Sequence, residues 1–175
     1  MKREISKMEK KKIEKKAIIV LNAFQYNEKK DVYVDATKLA SFFGFTVSQI
    51  DSMPIFEDGS IEVSKNGTEK KIAINSCRTF QAKRFIIIHE LSHYLLHYQS
   101  NNKLFRHREN IKGKDQEEND ADYMAACLLM PEKSFIRKYK QYKKMHLPMI
   151  EIYLRLYYDF CTPMESIQRR IDEIC

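Results

Sequence analysis

Residues 86–97 read IIIHELSHYLLH, which places His89, Glu90 and His93 inside an otherwise apolar run. The stretch from Arg84 to Tyr98 is long enough for four helical turns, and Phe85, Ile86, Ile87, Ile88, Leu91, Leu95 and Leu96 give it an apolar body backed by a core. On a helix, positions four apart share a face and stand about 6 Å apart along the axis. The imidazoles of His89 and His93 can therefore converge on one ion with bonds of about 2.0–2.1 Å. Glu90 projects about 100° away from His89, so its carboxylate reaches a metal-bound water without ligating the metal, which is the position a general base needs. The plain alternative is three polar side chains buried for structural reasons.

A catalytic zinc normally takes three protein ligands and leaves a place for water. The third must come from outside this helix. Downstream, Glu117, Glu118, Asp120 and Asp122 crowd the start of another helical stretch, with Glu118 and Asp122 spaced four apart. Acidic residues there also complement a helix dipole, and spacing alone leaves the choice among the four open. His97 lies one turn beyond His93, and a helix cannot wrap three successive turns around one ion, so packing or a supporting hydrogen bond is expected of it. Tyr94, Tyr98, Tyr123 and His107 stay open as donors to a transition state.

The rest of the chain bounds what surrounds this helix. With 175 residues, one domain is expected over 1–175, and 43% hydrophobic residues with 10 Phe and 10 Tyr exclude a disordered chain. The net charge of +7 is concentrated: residues 1–16 hold eight Lys or Arg against three Glu, leaving +2 for the remainder. A basic helix over about 1–25, with Ile13, Ala17, Val20, Leu21 and Phe24 on its inner face, accounts for this as a solvated surface, so direct nucleic-acid binding is not expected. Cys77, Cys127, Cys161 and Cys175 are widely spaced, with no Cys-x-x-Cys pair. They suggest neither a disulfide framework nor a zinc knuckle. The apolar segment after the basic start is short, contains Asn22 and leads to no small-residue cleavage site, and no run reaches transmembrane length, so a cytoplasmic protein without membrane contact is expected.

Between these parts, Asp35 caps a short helix that carries Leu39 and Phe42 inward and stops at Gly44. SIEVSKNGTEKKIAIN alternates twice about Asn66-Gly67, a hairpin signal. After Pro131 the chain reads as helical to its end (about 131–175), with Thr162, Pro163 and Glu165 expected to form a capping-box start and Met164, Ile167, Ile171 and Ile174 lining one face.

The blocks RFIIIHELSHYLLH and ENDADYMAACLLMP together resemble the ImmA/IrrE family of metallopeptidases. That resemblance implies an α+β, zincin-like fold, mainly helical, with a small antiparallel sheet beside the histidine helix. It implies Zn2+ held by His89, His93 and Glu118. Where the family often has Asn, this chain has Asp122, which is expected to orient a ligating histidine, the alternative being a place on the helix surface. It further implies a substrate: a helix-turn-helix repressor, cut at a specific site with Glu90 as the catalytic base. Ser92 replaces a glycine common in the family pattern, a small-for-small change. The strand at Ile72–Asn75, with Ile74 and Asn75 foremost, is expected to hold substrate backbone as an added strand. The alternative is a non-catalytic regulator that sequesters a repressor or contacts DNA.

Overall fold

The computed structural model describes residues 5–64, 66–101, 105–106 and 115–175. The basic start forms helix α1 (Lys7–Ala23), opened by a capping box in which Ser6 Oγ accepts from the Glu9 amide and the Glu9 carboxylate accepts from the Ser6 amide. Ile13, Ala17, Val20 and Leu21 are buried, which is the expected inner face. Helix α2 (Ala36–Phe42) begins at Asp35, whose side chain accepts from the Lys38 amide, and ends before Gly44 at φ +83°. Leu39 is inside, but Phe42 is 52% exposed and not inward as expected. The helix is only seven residues long and its buried face is already filled by Ala36, Leu39 and Ala40. Phe42 instead meets Phe24 and Phe43 edge-on at its rim.

Strands β1 (Thr46–Ile50), β2 (Gly59–Val63), β3 (Lys70–Asn75) and β4 (Phe105–Arg106) make one sheet in the order β1-β3-β2-β4. The hairpin β2–β3 is antiparallel and turns at Asn66-Gly67, where Gly67 adopts φ +72°. The sheet is nevertheless mixed where antiparallel pairing was expected. The first three strands run up, down and up, and β3 inserts between the other two, so its β1 neighbour must be parallel.

That insertion overturns the expected role of Ile74 and Asn75. Both edges of β3 are paired, Ile74 with Gln49 and Gly59, and Asn75 with Ile50, so no free edge remains to accept a substrate strand. Ile74 points into the core, and the buried Asn75 amide holds the carbonyls of Pro54 and Glu57.

The histidine helix is α3 (Phe80–Asn101), which packs on the sheet and on α4 (Asp115–Leu129). The approach to the sheet is tight at Gly59, where a Cβ would fall 2.6 Å from Ile86 Cγ2 and 2.9 Å from the Ala73 carbonyl oxygen. Gly59→Ala is therefore expected to push β2 away from α3 and to cost about 1–3 kcal/mol of stability, as overpacked cores do. Urea denaturation of the variant beside wild type measures it, and an unchanged midpoint would mean that the contact relaxes freely.

Ile87, Ile88 and Leu91 from α3, Met124, Ala125 and Leu128 from α4, the inner face of α1 and the sheet share one apolar cluster. A second cluster joins Met130 to α5 (Glu132–Lys144), α6 (Met149–Phe160) and α7 (Met164–Ile174) through Phe135, Ile152, Leu156, Phe160 and Ile167. Prolines 131, 148 and 163 stand at the three helix starts, where no backbone N–H is needed. The expected capping box at Thr162 does not form. Thr162 is fully buried with its hydroxyl against Met130 Sδ, so it faces the core and cannot reach the α7 amides.

Candidate metal centre

His89 and His93 project from adjacent turns of α3 toward α4, and both are nearly buried, at 5% and 3% exposure. Their Nε2 atoms are 3.1 Å apart. Glu118, in the first turns of α4, closes the group: its Oε2 is 3.2 Å from His89 Nε2 and its Oε1 is 3.4 Å from His93 Nε2. A tetrahedral ion with bonds of about 2.0–2.1 Å requires ligand atoms about 3.3–3.4 Å apart. Each pair of side chains already stands at about this separation at its nearest atoms, 3.1–3.4 Å, with donors of the types zinc prefers, so the residues fit the ion. Among the described residues this is the one His/Cys/Asp/Glu group whose donor atoms all lie within 4.8 Å of one another.

The four acidic residues left open by the sequence are now separated. Glu118 faces both histidines. Asp122, one turn on, has its Oδ1 2.8 Å from His89 Nδ1, on the far side of the ring from the cluster. Asp120 accepts from Gln116 Nε2 at 2.8 Å, and neither it nor Glu117 belongs to the cluster. The His89–Asp122 pair selects the tautomer of the neutral ring: with Nδ1–H donated to Asp122, the Nε2 lone pair faces the cluster.

The electrostatics of the group follow from this packing. Burial opposes a charge on His89, but the hydrogen bonds to Asp122 and Glu118 outweigh it and raise the imidazole to about 9. Burial likewise opposes ionisation of Glu118, and the two histidines overcome it, holding the carboxyl well below the usual carboxylate range.

Glu90 is 5% exposed and lies on the sheet side of α3, its Cγ 3.7 Å from where a Cβ on Gly59 would sit. Ser92 is fully buried, and its hydroxyl turns back to the Ile88 carbonyl at 2.7 Å, so it satisfies itself within the helix and leaves the cluster open. His97 meets the His93 ring at a centroid distance of 5.9 Å and is not part of the ligand group. Of the possible donors, the Tyr123 hydroxyl is committed to Glu14, and burial followed by that bond pushes its pKa far up. The Tyr94 hydroxyl accepts from Lys70 Nζ at 2.9 Å and its ring stacks on Tyr98. His107 lies outside the described residues. Gly59 is the site residue that sequence reasoning missed, although a lone glycine opening an alternating strand signals a close backbone approach.

Comparison with known proteins agrees with this geometry. Residues 56–172 match a peptidase family model described as the IrrE N-terminal-like domain. A Mycobacterium tuberculosis transcriptional regulator of known structure shares the fold at a TM-score of 0.57 and 15% identity, over 95% of this chain and 47% of its own. The chain thus spans about half of that protein's length. No curated protein sequence matches. The family match takes in well over half of the chain, including α3 and α4 that carry the cluster, and the chain accordingly belongs to this IrrE N-terminal-like family of metallopeptidases.

Proposed function

We propose that the chain is a zinc-dependent endopeptidase that cuts a helix-turn-helix transcriptional repressor at a specific site. The observation that carries the reading is the convergence of His89, His93 and Glu118, whose donor atoms lie within 4.8 Å of one another, with Glu90 one position from the first histidine on the same helix. Zinc, when bound, would lower the pKa of its water and polarise the scissile carbonyl. His89, His93 and Glu118 hold the ion, and Asp122 keeps His89 in the ligating tautomer. Glu90 takes the proton from the attacking water and passes it to the leaving amine. Its burial against β2 limits bulk water around it.

The repressor as substrate rests on the family resemblance, and the regulator that shares the fold is consistent with it. A cytoplasmic setting suits such a substrate. No described helix is long and apolar enough to cross a membrane, and the four cysteines are free.

The ligand assignment has a direct test. Glu118→Ala is expected to lower zinc content from about one ion per chain to well under half after dialysis, and to abolish repressor cleavage, whereas Glu117→Ala changes neither. Metal analysis and gel assays on the same preparations decide it. Equal losses from both substitutions would remove Glu118 as the third ligand.

A further inference from the structure

We propose that Ile55 and Phe56 form a rigid hydrophobic grip beside the metal centre, which seats on an apolar patch flanked by basic side chains on the folded protein substrate. The proposal rests on the peptidase reading and adds to it how an intact substrate is selected. Ile55 and Phe56 are 81% and 78% exposed, among the largest apolar exposures of the described residues. Single exposed hydrophobic residues are common and need no explanation. These two are adjacent, and the turn that carries them is held in place.

The turn lies between β1 and β2. Asn75 Nδ2 donates to the Pro54 and Glu57 carbonyls at 3.1 and 2.9 Å, and the Asn75 amide donates to the Asp58 carbonyl at 2.9 Å. Arg78 Nη2 donates to the Ile55 carbonyl at 2.6 Å, while its Nε pairs with the Asp58 carboxylate at 2.7 Å. The Glu57 amide closes the turn on the Pro54 carbonyl. Folding the two side chains inward would break these bonds, so the backbone keeps them turned to solvent. A surface fixed in its binding conformation loses less entropy when it binds. Asn75, 1% exposed, is thereby a positioning residue for this turn.

Location ties the grip to the reaction. Phe56 precedes Gly59 by three residues, which span at most about 11 Å, and Gly59 packs directly on Ile86 and Glu90 of α3. A folded substrate whose scissile bond lies at Glu90 therefore brings its neighbouring surface, not the cleaved segment alone, against the turn. Asp51 and Glu57 flank the apolar pair, so the complementary surface is apolar with a basic rim, as a DNA-binding protein offers.

The experiment uses the full chain with zinc and the purified helix-turn-helix repressor encoded beside its gene, together with a short peptide spanning the mapped cut. The Ile55→Ser, Phe56→Ser double variant alters only exposed side chains. It is expected to raise KM for the intact repressor by about 10-fold or more with kcat unchanged, and to cut the peptide like wild type. Equal kinetics on the repressor, or equal losses on repressor and peptide, would overturn the grip. Should wild type cut neither substrate, the peptidase reading fails by itself, and calorimetric binding decides the grip. Repressor bound by wild type and at least 10-fold more weakly by the variant supports it; equal binding, or none by wild type, overturns it.

Discussion

Arg84→Met is expected to lower the unfolding free energy by about 3 kcal/mol or more. Arg84 is 3% exposed, and its guanidinium donates to the carbonyls of Phe160 and Cys161 at the end of α6 and to that of Val34 ahead of α2. Cys161 adopts φ 48°, so the chain turns out of α6 with its last carbonyls unsatisfied by the helix. A fixed positive charge there also opposes the negative end of the helix dipole. The cation lies over the Tyr33 ring at 4.1 Å, which shields it further. Methionine fills much of the same volume but donates nothing. It strands up to three carbonyls, each costing about 1–3 kcal/mol when buried without a partner. Part of that is offset, because burial disfavours the guanidinium charge and lowers its pKa, a penalty the variant no longer carries. Urea denaturation of the zinc-loaded proteins gives the difference. Arg84→Lys should fall between, since one ammonium cannot fork to three carbonyls. A loss under about 1 kcal/mol for Arg84→Met would show that water or repacking replaces the clamp.

That clamp illustrates what the sequence conceals. The residues legible in the chain are those whose partners are local: the Asp35 cap, the Asn66-Gly67 turn, the inner face of α1 and the four-residue spacing of His89 and His93. The family resemblance singled out Glu118 and Asp122 among four clustered acids, and the structure puts their carboxylates against the two histidines and the His89 Nδ1, respectively. Expectations failed where a long-range contact decided the outcome. Strand β1 has only intermediate and exposed positions, so no apolar pattern announces it, and its parallel pairing depends on β3 entering between two strands already formed in sequence. The alternation at Ile72 and Ile74 marked a strand but not whether it lay at an edge. Thr162 matched a local cap pattern, but contact with Met130, 32 residues away, turned it inward. Arg84 partners lie 50 to 77 residues distant, and nothing near it in sequence points to them.

In the proposed function Glu90 performs chemistry at a zinc site and the chain does not act by binding alone. Glu90→Gln keeps the size of the side chain and removes its basicity, leaving His89, His93 and Glu118 in place. Zinc content and repressor binding should match wild type, while the cleavage rate falls about 10²- to 10⁴-fold, the usual contribution of a positioned general base. The measurement follows the purified repressor on a gel over time with zinc-loaded wild type, zinc-loaded Glu90→Gln and chelator-treated wild type, with repressor-controlled transcription read in parallel. The account predicts fragments with zinc-loaded wild type only, and relief of repression that tracks them. Relief by Glu90→Gln equal to wild type, with the repressor intact in both, would contradict it and make the zinc site structural.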